Sequence, residues 1–192
     1  MVKTGTIIFD LDGTLIDAVE LHALSFQHAF REAGVEVDMK SIRDRAGMKG
    51  EEIVARLASP DKAKEIYQRK SEWFLENLDK VNELPGATRV LETLRQQGHH
   101  LAMATSGNRR VLEAVCRKFG WTFGFSVTGD EVTRGKPDPE MLLKVKTALP
   151  GPYVFVGDTE YDRQAGETAG IRTLLLGGEL KSLDDLTGMK LF

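Results

Sequence analysis

Residues that could bind a phosphate group and a metal ion follow four separate apolar runs of the sequence. They comprise three acids, a hydroxyl next to a glycine, and a lysine: Asp10, Asp12, Asp158, Ser106, Gly107 and Lys136. Three carboxylates that lie close together repel one another unless a cation lies between them. Mg²⁺ suits such a cluster, because it binds a few carboxylates together with water and phosphate oxygens. We therefore predict a Mg²⁺ site at Asp10, Asp12 and Asp158.

The other members of this set predict a pocket for a phosphate dianion. Lys136 supplies a further positive charge, and the Ser106 hydroxyl and the Gly107 backbone supply hydrogen-bond donors for the transition state of phosphoryl transfer. Asp10 suits the nucleophile, because a carboxylate can attack phosphorus and form an aspartyl-phosphate. Asp12, two residues later, lies on the same side of an extended backbone as Asp10. It suits a general acid–base that protonates the leaving alcohol and then activates water.

Short apolar runs predict the sheet that positions these residues. Five short, mainly apolar runs indicate strands buried on both faces, at residues 6–9, 101–104, 125–128, 153–156 and 173–176. From residue 86 onward they alternate with amphipathic helical stretches, two of which stop at Gly98 and Gly170. This order is typical of an α/β protein with a doubly wound parallel sheet, which binds ligands at the carboxyl ends of its strands.

The stretch from residue 16 to residue 82 interrupts this alternation. It contains no strand-like run, and its apolar residues fall into three helical patterns. We therefore predict a small all-α insert at residues 16–82, directly after the first strand. Residues 1–15 and 83–192 are predicted to form the core of the protein.

The composition excludes several classes of protein and partner. The chain has 192 residues, 41% of them hydrophobic, and a net charge of −3, which excludes disordered and disulfide-rich proteins and does not favour a nucleic-acid partner. Its single cysteine, Cys116, lies on an apolar helical stripe and is predicted to be a core residue. No stretch approaches the roughly 18 apolar residues of a membrane-spanning helix, and the first apolar run is too short for a secretory signal. We expect a cytoplasmic protein without a membrane partner.

The four polar segments resemble, in order and spacing, the four motifs of the haloacid dehalogenase superfamily in its phosphatase branch. The matching residues are Asp10-Leu11-Asp12-Gly13-Thr14, Ser106, Lys136-Pro137, and Gly157-Asp158-Thr159 with Asp162. The resemblance implies a Rossmann-like catalytic core. It also implies that residues 16–82 are the helical cap domain that one class of this family carries at this place.

The resemblance further implies roles for individual residues. Asp10 and Asp158 would bind Mg²⁺ through their side chains, and Asp12 would bind it through its backbone carbonyl. Three residues would hold the transferring phosphoryl group: Ser106, Gly107 and Lys136. Asp162 and Thr14 would support the site from beside the metal, and Asp162 would occasionally be a ligand itself.

Asp12 distinguishes the branches of this superfamily. Its dehalogenases and ion-pumping ATPases lack a carboxylate there, because a halide or ADP leaves without a proton, whereas an alkoxide needs one. Its phosphonate hydrolases use a cap lysine, and the sequence does not assign such a lysine here. The resemblance therefore implies a phosphatase acting on a small phosphorylated metabolite, similar to phosphoglycolate and sugar-phosphate phosphatases.

Two alternatives remain open from the sequence. A sugar-phosphate mutase of the β-phosphoglucomutase type is similar through residues 17–22, but Ala46 and Gly50 stand where such mutases carry basic residues. A receiver-like phospho-acceptor domain uses the same residue types, but it carries no helical insert at this place. Three residues of the insert could reach a substrate, but the sequence assigns them no role: His22, Arg45 and Lys49. The sequence does not give the oligomeric state, and a monomer is plausible.

Overall fold

A computed structural model describes residues 4–192 and contains a five-stranded parallel sheet. The strands lie in the order β5-β4-β1-β6-β7. Their bounds are Thr6–Phe9 for β1, His100–Thr105 for β4, Phe125–Thr128 for β5, Tyr153–Gly157 for β6 and Arg172–Leu175 for β7. All five predicted strands are present within a residue or so, and the predicted fold class is confirmed.

Helices cover both faces of this sheet. The five that follow its strands or precede β4 are α5 (Ala87–Gln96), α6 (Arg109–Phe119), α7 (Glu140–Ala148), α8 (Glu160–Ala169) and α9 (Asp185–Gly188). Ile7 and Phe9 of β1 belong to one hydrophobic cluster, whereas Ile8 belongs to a second cluster on the opposite face. Because both faces are buried, β1 and β6 are mostly continuous apolar runs rather than alternating ones.

A helical unit lies between β1 and α5. Its helices are α1 (Val19–Glu32), α2 (Met39–Arg43), α3 (Gly50–Leu57) and α4 (Ala63–Glu76). Helices α1 and α4 pack together. Their buried faces share a third hydrophobic cluster, which contains Phe26, Phe30 and Tyr67 and is separate from the two clusters of the sheet.

The expectation that residues 16–82 contain no strand is wrong. Two strands of two residues each, β2 (Ile16–Asp17) and β3 (Asn82–Glu83), pair antiparallel where the chain enters and leaves the helical unit. Two residues are too short to show a hydrophobic period, and Asp17 and Asn82 are exposed. The pairing follows from the closure of the insert, which brings its two ends to one place.

Glycine allows α8 to approach the neighbouring strand β7 closely. A Cβ added at Gly166 would overlap the hydroxyl of Thr173. This close approach matters for function because α8 begins in the segment that holds Asp158 and Asp162. Within residues 4–192, no helix is both long and apolar enough to cross a membrane.

The Gly166→Ala variant is expected to lower the free energy of unfolding by about 1–3 kcal/mol, as overpacked core positions do. Alanine is the better helix former by about 1 kcal/mol, but the overlap with Thr173 and the nearby carbonyl of Ile171 outweighs this gain. Urea unfolding measures the change. The control is Gly188→Ala, where an added Cβ meets no atom within 4 Å. Equal effects of the two substitutions would contradict the close packing of α8 on β7.

Candidate functional site

A small cavity lies where the carboxyl ends of three parallel strands meet the helical unit. Asp10 and Asp12 follow β1, Ser106 and Gly107 follow β4, and Asp158 follows β6, and all five residues line the cavity. Its volume is about 110 Å³. The sheet therefore brings together five of the predicted site residues, which lie up to 148 positions apart in the chain.

Lys136, the remaining predicted phosphate ligand, lies behind Asp10 and is only 1% exposed. Its Nζ donates hydrogen bonds to Oδ1 of Asp10 at 2.6 Å and to Oδ1 of Asp162 at 2.7 Å. Burial opposes the charge, but the two carboxylates outweigh it and raise the pKa of Lys136 above its ordinary value. The lysine is therefore a fixed buried cation that orients the Asp10 carboxylate.

Asp162 connects this ion pair to the start of α8. Its Oδ1 accepts from Lys136, while its Oδ2 accepts from the backbone amide and the hydroxyl of Thr159 at 3.0 and 2.7 Å. The Thr159 hydroxyl in turn caps the helix, so the two side chains form a capping box. Burial opposes the charge, but Lys136 and Thr159 outweigh it and lower the pKa of Asp162. Asp162 thus links Lys136 to the first turn of α8.

Three carboxylates form a cluster with the geometry of a cation site. One oxygen each from Asp10, Asp158 and Asp162 lies within 4.8 Å of the others. Burial and the Asp162 charge raise the pKa of Asp158 to about 6, and burial, against the opposing effect of Lys136, raises the pKa of Asp10 well above its usual range. One lysine against three carboxylates leaves an excess of negative charge, which a divalent cation would neutralise. The residues present therefore fit Mg²⁺.

Thr14 and Asp12 take different places around this cluster. The Thr14 hydroxyl donates to Oδ1 of Asp158 at 3.2 Å, which orients the carboxylate. The Asp12 side chain, by contrast, does not belong to the carboxylate cluster that the described residues form. Its Oδ1 accepts a hydrogen bond from His22 instead. The carboxylate of Asp12 is thus separate from the carboxylate cluster.

A hydrogen-bonded chain fixes the Asp12 carboxylate. His22 Nε2 lies 2.7 Å from Oδ1 of Asp12, and the ammonium of Lys70 contacts His22 Nδ1. An ammonium can only donate, so Nδ1 accepts and Nε2 carries the proton that goes to Asp12. The imidazole also stacks on the Phe74 ring at 4.1 Å between centroids. His22 therefore has one tautomer and one orientation.

The pKa values along this chain favour an ionised Asp12 next to a neutral imidazole. Burial, reinforced by Lys70, lowers the pKa of His22 although Asp12 opposes it. Burial also opposes ionisation of Asp12, but the interactions with His22 and Lys70 outweigh it and lower the pKa of Asp12. Asp10 and Asp12 thus lie in one cavity with pKa values moved in opposite directions, the usual sign of two carboxylates with different roles.

Lys70 is a residue of the candidate site that the sequence analysis missed. It lies on α4 between Tyr67 and Phe74, on the buried stripe of the helix, and is only 3% exposed. A charged residue at the i+3 position of an apolar stripe is the signal that could have revealed it. Its Nζ lies 5.0 and 5.2 Å from the ring centroids of Phe26 and Phe74, within the range of cation–π attraction.

The Lys70→Met variant is expected to raise the free energy of unfolding by about 2 kcal/mol at pH 7. Burial lowers the pKa of Lys70 from 10.5 to about 8, so folding disfavours the ammonium. This penalty is complete below pH 8 and disappears as pH rises from 8 to 10.5, because the folded protein releases the proton first. Loss of the hydrogen bond to His22 offsets part of the gain.

Urea unfolding at pH 7 and pH 9.5 measures this effect, and the advantage of the variant should shrink at the higher pH. Lys64→Met is the control, because Lys64 lies on the exposed face of the same helix. A Lys70→Met protein that is less stable than the wild type at pH 7 would contradict the buried charge.

Both predicted phosphate donors make hydrogen bonds to other groups of the protein. The Ser106 hydroxyl donates to the carbonyl of Gly47 in the helical unit at 2.6 Å, and the amide of Gly107 donates to Oγ1 of Thr105 at 3.1 Å. Both groups line the cavity. Their roles toward a phosphate stay predictions, and binding would require the Ser106 hydroxyl to exchange Gly47 for the ligand.

The three unassigned residues of the insert separate into two groups. His22 lies in the cavity wall and contacts Asp12. Arg45 donates to the carbonyl of Ser41 at 2.7 Å, and Lys49 donates to the carbonyl of Val132 at 3.0 Å. Neither of these two cations is among the residues that line the cavity in the described part of the chain. Lys49 instead ties the helical unit to the core.

Comparisons with known proteins show what this chain is similar to. The family model described as haloacid dehalogenase-like hydrolase matches residues 7–176. Phosphonoacetaldehyde hydrolase of Latilactobacillus sakei is 30% identical over 91% of this chain and 76% of its own length. Phosphoglycolate phosphatase of Pseudomonas fluorescens is 29% identical over 88% and 68%. The crystal structure of CbbY from Rhodobacter sphaeroides in complex with phosphate superposes with a TM-score of 0.84, at 26% identity over 96% of both chains.

Proposed function

The chain belongs to the haloacid dehalogenase-like hydrolases, and from this we propose that it is a Mg²⁺-dependent phosphatase that cleaves a small phosphomonoester through a phosphorylated Asp10. The observation that carries the proposal is that two carboxylates, Asp10 and Asp12, line one cavity and are held by different partners. Lys136 holds Asp10, whereas His22 and Lys70 hold Asp12. One carboxylate is thus placed to attack and the other to transfer protons.

Asp10 is the nucleophile of the proposed reaction. Its Oδ1 is bound by Lys136, and among residues 4–192 its Oδ2 accepts no hydrogen bond. Attack of an Asp10 oxygen on phosphorus forms the acyl phosphate while the bond from phosphorus to the leaving oxygen breaks. Lys136 stays beside the attacking carboxylate and stabilises the negative charge that the transition state spreads over the phosphoryl oxygens.

Asp12 transfers the protons in both halves of the reaction. The charge of a bound phosphate raises the pKa of a neighbouring carboxylate, so substrate binding favours the protonated Asp12 that gives its proton to the leaving alkoxide. The resulting carboxylate then takes a proton from water, which attacks the acyl phosphate and releases inorganic phosphate. His22 keeps the carboxylate oriented throughout, because its ring is fixed by Lys70 and Phe74.

Mg²⁺ is proposed to bind at Asp10 and Asp158, with the backbone carbonyl of Asp12 as a further ligand. The cluster of carboxylates supports this assignment, and so does the orientation of Asp158 by Thr14. When bound, the ion would neutralise the excess negative charge of the site and of the phosphate. Asp162 is proposed to hold Lys136 in place rather than to bind the ion, because both of its oxygens accept hydrogen bonds from other groups.

The helical unit is proposed to act as a cap over the core, with residues 16–82 as the cap and residues 1–15 and 83–192 as the catalytic core. Hydrogen bonds that join the cap to the core around the cavity include Ser106 to Gly47, Lys49 to Val132, and the Gly135 amide to Glu52 at 3.2 Å. Substrate entry requires these contacts to open, and their closure excludes bulk water from the acyl phosphate. The cytoplasmic location and the monomeric state stay predictions.

Metal removal tests the proposed function. Release of phosphate from p-nitrophenyl phosphate and from small phosphate esters is expected to fall about 100-fold or more in EDTA, because the excess carboxylate charge then repels the substrate. Excess Mg²⁺ should restore it. Turnover that is independent of metal would contradict the proposal. Incubation of glucose 1-phosphate with a bisphosphate primer distinguishes the mutase alternative, since a mutase forms the isomer and a phosphatase forms free phosphate.

A further inference from the structure

The start of α3 in the cap lies against residues 132–136 of the core, the lysine segment. The Lys49 ammonium donates to the carbonyl of Val132 at 3.0 Å, and the Gly135 amide donates to Oε1 of Glu52 at 3.2 Å. A Cβ added at Gly135 would lie 2.6 Å from the Cβ of Lys49, closer than two such carbons approach. The absence of a side chain at Gly135 therefore allows the cap to reach the backbone of this segment.

Two carboxylates hold three consecutive amides of the lysine segment. The amides of residues 133–134 donate to Glu140 at 3.0 and 3.1 Å, and the next amide, that of Gly135, donates to Glu52. Glu140 belongs to α7 of the core, whereas Glu52 belongs to α3 of the cap. The core thus holds the first two amides in any position of the cap. The third amide, directly before Lys136, is bound when the cap is closed.

The side chain of Lys136 connects this segment to the proposed nucleophile. Its ammonium donates to Asp10 at 2.6 Å and to Asp162 at 2.7 Å. A shift of the backbone at the base of Lys136 therefore changes the direction from which it holds the Asp10 carboxylate. Attack on phosphorus depends on this direction, since a misplacement of about 1 Å can cost about 100-fold in rate.

The bond between Glu52 and the Gly135 amide lies outside the cavity. Within residues 4–192, neither residue is among those that line it. A phosphate ligand therefore does not compete for this bond, in contrast to the bond between Ser106 and Gly47. Glu52 can act on the reaction only through the lysine segment that it holds.

We propose that Glu52 is a positioning residue, which binds the Gly135 amide when the cap closes and thereby fixes the lysine segment for attack by Asp10. This inference rests on the proposed function. Closure of the cap then does more than exclude water, because it also completes the support of Lys136. Asp10 attacks at its full rate only under a closed cap.

Two substitutions of Glu52 test this proposal on the full chain with Mg²⁺ and saturating p-nitrophenyl phosphate. Glu52→Ala removes the acceptor, so kcat should fall at least about tenfold. Glu52→Gln keeps an acceptor oxygen and should restore kcat to within about threefold of the wild type. Glu51→Ala is the control, because Glu51 lies beside Glu52 in the same turn and its side chain is 40% exposed. This control should leave kcat within about twofold.

Lys49→Met separates the positioning of the lysine segment from closure of the cap. It removes the bond to Val132 but leaves the Glu52 bond and the packing of the Lys49 Cβ on Gly135. Because the closed cap is then less stable, KM should rise, while kcat stays within about threefold of the wild type. Equal losses of kcat in Lys49→Met and Glu52→Ala would mean that Glu52 only closes the cap, and would overturn the inference.

Amide hydrogen exchange provides a readout that does not depend on activity. With Mg²⁺ and inorganic phosphate present, the Gly135 amide should exchange about fivefold faster in Glu52→Ala than in the wild type or Glu52→Gln. The amides of residues 133–134 should be unchanged. Equal exchange of the Gly135 amide in all three proteins would contradict the proposal.

The two levels of the argument fail in different ways. A wild type that releases no phosphate from p-nitrophenyl phosphate or acetyl phosphate would refute the proposed function, and this inference with it. An active wild type whose kcat is unchanged by Glu52→Ala would overturn this inference alone.

Discussion

The Asp10→Asn variant is expected to lose phosphatase activity by about 10⁴-fold or more, as enzymes do when their nucleophile is removed. An amide is isosteric with the carboxylate but does not attack phosphorus, and it also weakens the site for Mg²⁺. The amide oxygen can still accept from Lys136, so the buried contact at 2.6 Å need not be lost. Phosphate release from p-nitrophenyl phosphate measures the activity, and thermal unfolding checks that the fold is retained.

Asp12→Asn is the matched substitution that separates the two proposed roles. It leaves the nucleophile in place but removes the base that activates water, so the acyl phosphate should accumulate with a substrate whose leaving group needs no proton. Acetyl phosphate or p-nitrophenyl phosphate is such a substrate. Mass spectrometry of the acid-quenched protein should show one added phosphoryl group in Asp12→Asn and none in Asp10→Asn. Full activity of Asp10→Asn would contradict the proposed mechanism.

The sequence predicted the sheet and the edge at which the polar residues meet, because a buried strand is marked by a run of a few consecutive apolar residues. Residues 7–9 and 153–156 are apolar, and the acids that follow them lie at the same edge of any parallel sheet that contains both runs. For this prediction it is not necessary to know which strands are neighbours in the sheet. This is why Asp10 and Asp158 could be placed together from patterns spanning only a few residues each.

Contacts between elements that are far apart in the chain were not predictable in this way. The hydrogen bond from Ser106 to Gly47 and the contact of Lys70 with His22 join residues 59 and 48 positions apart, on elements whose relative placement no local pattern encodes. Lys70 was missed because a lysine on an apolar stripe can also extend past it to solvent. Its place in the site follows from the tertiary packing that encloses it, in which His22 Nδ1 accepts a hydrogen bond from its ammonium.

The Lys136→Met variant is expected to lower the free energy of unfolding by about 3–5 kcal/mol in metal-free buffer, the range for removal of one partner of a buried ion pair. Lys136 is 1% exposed and is the cation between Asp10 and Asp162, so its loss leaves two adjacent buried carboxylates unpaired. Urea unfolding measures the change. Lys144→Met is the control, since that lysine is a half-exposed residue of α7 and surface changes of this kind stay within about 0.5 kcal/mol.

A double-mutant cycle shows whether the loss arises from the unpaired carboxylates or from poorer packing of methionine. Asp162→Asn on its own removes the carboxylate charge that pairs with Lys136 and weakens the capping box at the start of α8. In Lys136→Met it also removes one of the two unpaired charges, so the double variant should be more stable than the sum of the single effects implies, by about 1–3 kcal/mol. Simple additivity would mean that Lys136 does not neutralise Asp162. The lysine would then serve Asp10 alone, and the buried triad would not be the support on which the nucleophile depends.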